Sequence, residues 1–274
     1  MLEKYSVLMS LYIKEKPEYL ELAIKSMAKQ TQMPDEIVVV KDGKITPELQ
    51  EVLDKYSSAY PGLFNIIGYK TNRGLGVALN YGLKHCRNEL IARMDTDDIS
   101  VSNRCKKQVD FLTSHKDISI VGGQITEFVD EINNKVGKRI VPCTDRKLKK
   151  YLKKRCPFNH MSVMFRKSDI LDAGNYRNWF WNEDYYLWIR LALKNKKFAN
   201  LSDTLVFVRV GAGMYQRRGG IKYFDSEKKI QELMRKRGMI GFLRYMVNVG
   251  ERFIIQVLMP SQLREIIFQT FARK

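Results

Sequence analysis

Cysteine and histidine are scarce in this chain, and what they fail to form is informative. Its four cysteines, Cys86, Cys105, Cys143 and Cys156, stand far apart without a CxxC pair. That spacing argues against a disulfide framework and a zinc site, and fits reduced thiols of a cytosolic protein. Of the three histidines, His160 in Asn159-His160-Met161 reads as structural, not as a ligand or an acid–base group. No stretch approaches the roughly 20 apolar residues of a spanning helix. MLEKYSVLMSLY runs directly into a strand pattern, so no secretion signal is expected. Internal repeats and low-complexity segments are lacking. So are zinc-finger spacing, RNP-like aromatics and a helix-turn-helix, and nucleic acid is not an expected partner. Acidic residues are the minority, 30 against 48 Lys and Arg, giving a formal charge of +18. The excess points to a phosphate-rich ligand, a polyanion or an anionic membrane surface.

What is present is a globular composition. Hydrophobic residues at 45% and aromatics at 11% exclude general disorder, and 274 residues suffice for one large domain with an appendage. Apolar runs at 5–10, 36–40, 64–69 and 90–94 read as buried strands. Between them lie helical patterns from Pro17, over about 47–60, and from the turn Asn72-Arg73-Gly74-Leu75-Gly76 to about Cys86. This βαβαβαβ order implies an α/β fold, with a mainly parallel sheet and helices on both faces. Ligands of such sheets sit at the carboxyl ends of the strands, where Ser10–Tyr12, Asp42, Arg73 and Asp95–Asp98 fall.

Further on, a helix is expected over about 101–115, strands at 118–122 and 205–210, and a hairpin of 125–129 with 138–141. A basic helix is expected over 145–155, a short strand at 162–165 and a helix over 182–193. From about 225 the chain turns amphipathic, mixing large apolar residues with Arg244, Arg252, Arg264, Arg273 and Lys274. Such helices either lie in a membrane interface or pack as a bundle on the main domain.

The most informative stretch is Ile91–Ser100, IARMDTDDIS. An apolar strand delivers Asp95, Asp97 and Asp98 within four positions. Carboxylates so close repel one another unless a cation neutralises them, and hard oxygen ligands suit Mg²⁺ or Mn²⁺ shared with phosphate oxygens. An acidic turn capping the next helix is the alternative. Trp181-Asn182-Glu183-Asp184-Tyr185-Tyr186-Leu187-Trp188 offers two acids at a helix start among aromatics. These are capping residues, a general base beside a sugar platform, or both. Asp42-Gly43 is either a turn pair or an acceptor for a base N–H. Arg217-Arg218 before two glycines suits either a loop closing on phosphate or a plain surface loop.

In this order, YSVLMSLY, EIVVVKDGK, NRGLGVALNYGL, IARMDTDDISVSNRCKKQVDFL, NHMSVMFRKS and WNEDYYLWIRL resemble the family-2 glycosyltransferases of the GT-A fold, particularly bacterial enzymes of surface-polysaccharide synthesis. The resemblance covers about residues 4–220. It implies a GT-A domain over 1–224, with a nucleotide-sugar half (1–100) and an acceptor half (101–224), followed by the amphipathic extension 225–274. By position it assigns Ser10, Tyr12, Asp42, Arg73, Asp95, Asp97, Arg217 and Arg218 to the nucleotide sugar. Asp97 and Asp98 would hold Mn²⁺ or Mg²⁺, Asp184 would be the base beside Glu183, and Trp181 and Asn182 would meet the acceptor.

The implied reaction is inverting transfer of a hexose, galactose or an N-acetylhexosamine, from a UDP-sugar. The acceptor would be a lipid-diphosphate-linked saccharide of O-antigen or capsule, at the inner face of the cytoplasmic membrane. Two departures stand out. Where the resemblance implies a histidine ligand shortly after the strand at 205–210, this chain reads Arg209-Val210-Gly211-Ala212-Gly213, and Lys41 replaces one acid of the family's first acidic pair. A sugar-phosphate nucleotidyltransferase and a non-enzymatic basic binding protein are the competing readings. Against the first, residues 11–17 lack a glycine-rich basic loop.

Overall fold

The computed structural model describes residues 3–211 and 219–260. Four parallel strands, β1 (Tyr5–Leu11), β2 (Glu36–Asp42), β3 (Phe64–Tyr69) and β4 (Leu90–Met94), alternate with helices α1 (Pro17–Ala28), α2 (Pro47–Ala59) and α3 (Leu75–His85). The expected βα order is thus found, with boundaries moved by a residue or two. β1, β2 and β4 are apolar on both faces because both faces are covered. Val7, Met9, Ile37 and Val39 pack with α1 and α2 in one core, while Leu8, Val38 and Val40 pack with α3 in another. Pro17 and Pro47 open α1 and α2 at a position that needs no N–H donor, and Thr46 caps α2 through Leu49 N.

The second half is mixed. After β5 (Ile99–Ser100) and α4 (Arg104–Ser114) come β6 (Ile118–Phe128), β7 (Lys135–Arg139), α5 (Asp145–Leu152), β8 (Met164–Arg166) and α6 (Lys167–Asp172). They are followed by α7 (Glu183–Leu193), β9 (Lys197–Arg209), α8 (Ile221–Lys236) and α9 (Phe242–Phe253), which continues as one π-turn over Ile254–Leu258. The strand order is β3-β2-β1-β4-β8-β6-β9-β5, with β7 on β6. Strand β8 runs antiparallel to both β4 and β6, and β9 runs parallel to β6.

Two strands differ from expectation. The segments 118–122 and 125–129 form the single strand β6, which absorbs register shifts against β9 around Gly122–Ile125. β9 starts eight residues before the expected 205, across Asn200, Ser202 and Asp203, which break the apolar pattern. Buried Asn200 is anchored there by its amide N–H groups, which donate to the carbonyls of Pro142 and Pro157. The two-residue β5 pairs with Phe207 and Val206, a contact between distant segments that no local pattern announces.

Candidate active site

Strand β4 carries the chain to the rim beside β1, with Met94 in register with Met9. Beyond it, Asp95, Asp97 and Asp98 each offer a carboxylate oxygen, and these oxygens lie within 4.8 Å of one another. Burial, then the charges of Asp95 and Glu15, push Asp97 up to about 7. Burial, then Asp97 and Asp95, push Asp98 well above the usual carboxylate range. Glu15 is held nearby by Thr96, whose hydroxyl donates to Oε2 at 2.6 Å. Crowded oxygens that resist joint ionisation are a donor set for a hard divalent cation, and the three residues fit one.

Arg93 governs this corner. Alternation along β4 places it with Ile91 on the α3 face, where an apolar residue would be expected. Its guanidinium is buried and ion-paired with Asp95. Its charge also acts on Asp97, Asp98, Glu183 and Asp184, so one buried cation faces both acid groups. Strand β9 ends in Arg209. The main-chain N–H of Arg209 donates to Asp98 Oδ1 at 2.9 Å, and Nε donates to the Asp97 carbonyl at 3.3 Å. The guanidinium lies over the Tyr19 ring at 3.8 Å, so it braces the aspartate turn from behind.

Asp42 is buried and turned into the protein. Its carboxylate accepts from Tyr69 Oη (2.7 Å), Asn72 Nδ2 (3.0 Å), Arg73 N (2.7 Å) and Gly74 N (3.0 Å). Those bonds fill the roughly four acceptor positions of a carboxylate, so a contact to a base would require one to be exchanged. Asp42 thereby shapes the 72–74 turn and leaves Arg73 exposed, 5.5 Å from the Tyr69 ring centre. Gly43 sits at φ 92°, and a Cβ there would lie 2.7 Å from Asn72 N, so only glycine fits. At Gly76 a Cβ would meet Arg177 O at 3.0 Å and Glu183 Cβ at 3.2 Å, which sets the start of α3 directly against the ED pair. Tyr12 is 39% exposed, and Ser10 is half-buried with its carbonyl near Thr96.

Glu183 and Asp184 occupy the first turn of α7. Burial, then Asp184, pushes Glu183 up to about 7, and burial raises Asp184 as well. Asp184 Oδ1 accepts from Tyr185 N at 2.6 Å, and the Cys156 thiol donates to Oδ2 at 3.4 Å. The helix is entered through Trp181 in a left-handed conformation (φ 53°), strained for so bulky a residue. Trp181 is exposed and stacks on Phe180, with ring centres 4.8 Å apart. Asn182 is buried, and its amide donates to Ser226 Oγ at 3.1 Å. Of the two residues expected to meet an acceptor, Trp181 therefore offers surface, with Phe180, while Asn182 tethers α7 to α8. An open depression of about 470 Å³, lined by Trp179, Phe180, Lys222, Asp225, Ser226 and Lys229, lies beside them. Asp95, Asp97 and Asp98 do not line it.

His160 is structural, as read from the sequence: buried, bonded to the Tyr176 hydroxyl at 3.0 Å and pushed well down by burial. Arg217 and Arg218 lie outside the described residues. Sequence reasoning missed the parts played by Arg93, Glu15 and Cys156, and saw Arg209 only as a departure from the family pattern. Only Arg93 carried a signal, as the one charge inside the apolar run Leu90–Met94.

The model of Glycosyl transferase family 2 matches residues 6–171. An uncharacterized glycosyltransferase of Haemophilus influenzae is 43% identical over 271 residues, 99% of this chain and 100% of that protein. The Escherichia coli UDP-Gal:alpha-D-GlcNAc-diphosphoundecaprenol beta-1,3-galactosyltransferase is 36% identical over 273 residues, covering 99% of this chain and 97% of that protein. Among solved structures, S. aureus TarS 1-349 in complex with UDP-GlcNAc superposes with a TM-score of 0.67 at 19% identity, over 92% of this chain and 72% of that one. The mannosyltransferase PcManGT from Pyrobaculum calidifontis, in complex with GDP-Man and Mn²⁺, gives a TM-score of 0.62 at 14% identity, over 97% of this chain and 79% of that one.

The chain belongs to glycosyltransferase family 2 and has the GT-A fold of these enzymes, extended by C-terminal helices. Membership sets aside the nucleotidyltransferase and binding-protein readings. Among the described residues no helix is long and apolar enough to cross a membrane.

Proposed function

We propose that this glycosyltransferase is a metal-dependent, inverting hexosyltransferase of polysaccharide biosynthesis. Its donor is a UDP-sugar, with galactose or an N-acetylhexosamine transferred. Its acceptor is a hydroxyl of a lipid-diphosphate-linked saccharide in O-antigen or capsule assembly, at the inner face of the cytoplasmic membrane. The observation that carries this reading is the placement of the aspartate cluster and the ED pair around one buried cation, Arg93. The E. coli relative, alike over nearly its full length, is named for a reaction of this kind.

Asp97 and Asp98 would hold Mn²⁺ or Mg²⁺, which when bound supplies positive charge for the departing diphosphate. Arg73 and Tyr12, at the strand ends, face the nucleotide, with Ser10 and Asp95 beside it and Asp42 shaping the turn beneath Arg73. Arg217 and Arg218 complete the diphosphate contacts. Asp184, whose proton affinity burial raises, accepts the proton of the attacking hydroxyl, and Glu183 orients it or the acceptor. Trp181 and Phe180 present apolar ring faces to the acceptor sugar. Attack opposite the leaving group turns an α-linked donor into a β-glycoside.

The test is UDP release from a panel of UDP-sugars with a lipid-diphosphate-linked acceptor, in Mn²⁺, Mg²⁺ or EDTA. Release with one donor, abolished by EDTA, is the expected result. Folded protein that releases UDP from none of them overturns the reading.

A further inference from the structure

We infer that the outer face of α9, together with the basic end of α5, is a docking surface for an anionic lipid bilayer beside the acceptor side of the site. The lipid-linked acceptor proposed above gives this surface its purpose, and the inference rests on that reading in this respect alone.

Helix α9 and the π-turn that extends it are inside out. Their buried positions are polar: Asn248, Arg252 and Gln256. Asn248 Nδ2 donates to Gln231 Oε1 and to the Lys153 carbonyl, both at 2.8 Å. Arg252 donates to Glu227 Oε2 and to the Lys154 carbonyl, both at 2.5 Å. The exposed positions are large and apolar: Phe242, Leu243, Met246, Val247, Ile254 and Leu258, with Leu243 at 80%. Phe242-Leu243 and Met246-Val247 are adjacent pairs one turn apart, and beyond Gly250 the same face resumes with Ile254 and Leu258, so they fall along one side of the helix. Scattered apolar residues on a surface need no explanation, but a continuous stripe on a helix whose inner face is hydrogen-bonded marks an interaction surface.

Charge selects the occupant. The bonds from Asn248 and Arg252 fasten α9 to Lys153 and Lys154, at the end of the basic segment 145–155. That segment exposes Arg146, Lys147, Lys150 and Lys153, while Arg244 is exposed on α9 itself. Glu251, an acid beside the stripe, is paired with Lys154 at 2.9 Å. An apolar stripe rimmed by cations is the pattern of an interfacial helix on anionic lipid. A second copy of this chain is disfavoured on the same face, because apposition would bring two sets of cations together.

The surface is wired to the site. The Tyr185 hydroxyl on α7 donates to the Leu152 carbonyl at 2.5 Å, at the end of α5, and Cys156 just beyond bonds Asp184. Gln256 accepts from Gly220 N at 2.8 Å, where α8 begins. A bilayer seated on α9 and α5 would therefore meet the segments that hold Asp184 in place.

The experiment is co-sedimentation of the full chain with phosphatidylcholine vesicles, alone or with about a third phosphatidylglycerol. The unmodified chain is expected to bind the anionic vesicles, and less as salt rises. Leu243→Glu with Val247→Glu should weaken binding at least tenfold. Lys150→Glu with Lys153→Glu should weaken it about 25-fold or more, since each cation near an anionic surface contributes roughly a fivefold factor. All four side chains are exposed, so circular dichroism and Tm should match the parent. Failure of the unmodified chain to prefer anionic vesicles overturns the inference, as does equal binding by the Leu243/Val247 variant. A lipid-free dimer that the same variant converts to monomer also overturns it, in favour of self-association. No turnover enters the measurement, and UDP release to a short-chain soluble acceptor should stay at parental level in both variants. Failure here is thereby separable from failure of the transferase reading.

Discussion

The main-chain N–H of Arg209 donates to Oδ1 of Asp98 at 2.9 Å, tying the end of β9 to the last aspartate of the cluster. The pairing of β5 with Val206 and Phe207 brings these segments together, more than a hundred residues apart in sequence. The bond occupies one oxygen of Asp98 and leaves the other for a cation. A backbone donor makes the tie independent of the side chain at 209, which is free to lie over Tyr19. Arg209 thus supports the third acid through its main chain.

Asp98→Asn and Asp184→Asn should each lower transfer by at least 10³-fold while leaving the fold intact. Asp98 is buried and held well above the normal carboxylate range by burial and by its neighbours, so removing its charge relieves repulsion. The Tm of Asp98→Asn in EDTA should accordingly equal or exceed that of the parent. Turnover of either variant at the parental rate would show that the site has been misassigned.

Removing the Cys156 thiol should shift the acid limb of the activity profile. Hydrogen bonds to a carboxylate favour its charged form, and the thiol donates to Asp184 Oδ2 at 3.4 Å. Cys156→Ala should move the limb to higher pH, and Cys156→Ser should restore it. The measurement is kcat/KM against pH for the three proteins. An unmoved limb in Cys156→Ala assigns the thiol to packing.

The βαβ half of the fold was legible because β1, β2 and β4 are covered on both faces and so read as mostly apolar runs. The aspartate cluster was legible because three acids end such a run. The rest depends on contacts between distant segments. Nothing local distinguishes a buried Asn182, bonded to Ser226, from an exposed one, or an Asp42 turned into its own loop from one facing a ligand. Strand β9 was half hidden because the amide of Asn200 donates to Pro142 and Pro157, which lie far away in sequence. Arg209 and Cys156 became visible only once β9 met the aspartates and α5 met α7.

Arg93→Met should destabilise the protein by about 3–5 kcal/mol, because it leaves Asp95 without its buried partner beside two further acids. For a domain of this size that corresponds to a fall in Tm of roughly 10 °C. Arg93→Lys keeps the charge but not the fork, and should lie between the two. Thermal denaturation in EDTA distinguishes the cases. A Tm for Arg93→Met equal to the parent's would remove Arg93 from the centre of this site.

Divalent cation and pH should act on stability through the same carboxyls, with opposite signs. Asp97 moves from 3.8 to about 7 on folding and Glu183 from 4.5 to about 7. An acid with a raised folded value binds more protons folded than unfolded between those limits. These two groups therefore subtract stability as pH rises through that window, and the loss is complete above about 7. A cation binds only the deprotonated acids, so its stabilising effect grows over the same window. The Tm difference between Asp97→Asn and the parent in EDTA should therefore increase in favour of the variant from about pH 5 to about pH 7.5. Adding Mn²⁺ should raise the parent's Tm most at the upper end and leave Asp97→Asn almost unmoved. A Tm gain from Mn²⁺ that is equal at both ends, or equal in the variant, would place the cation away from these aspartates.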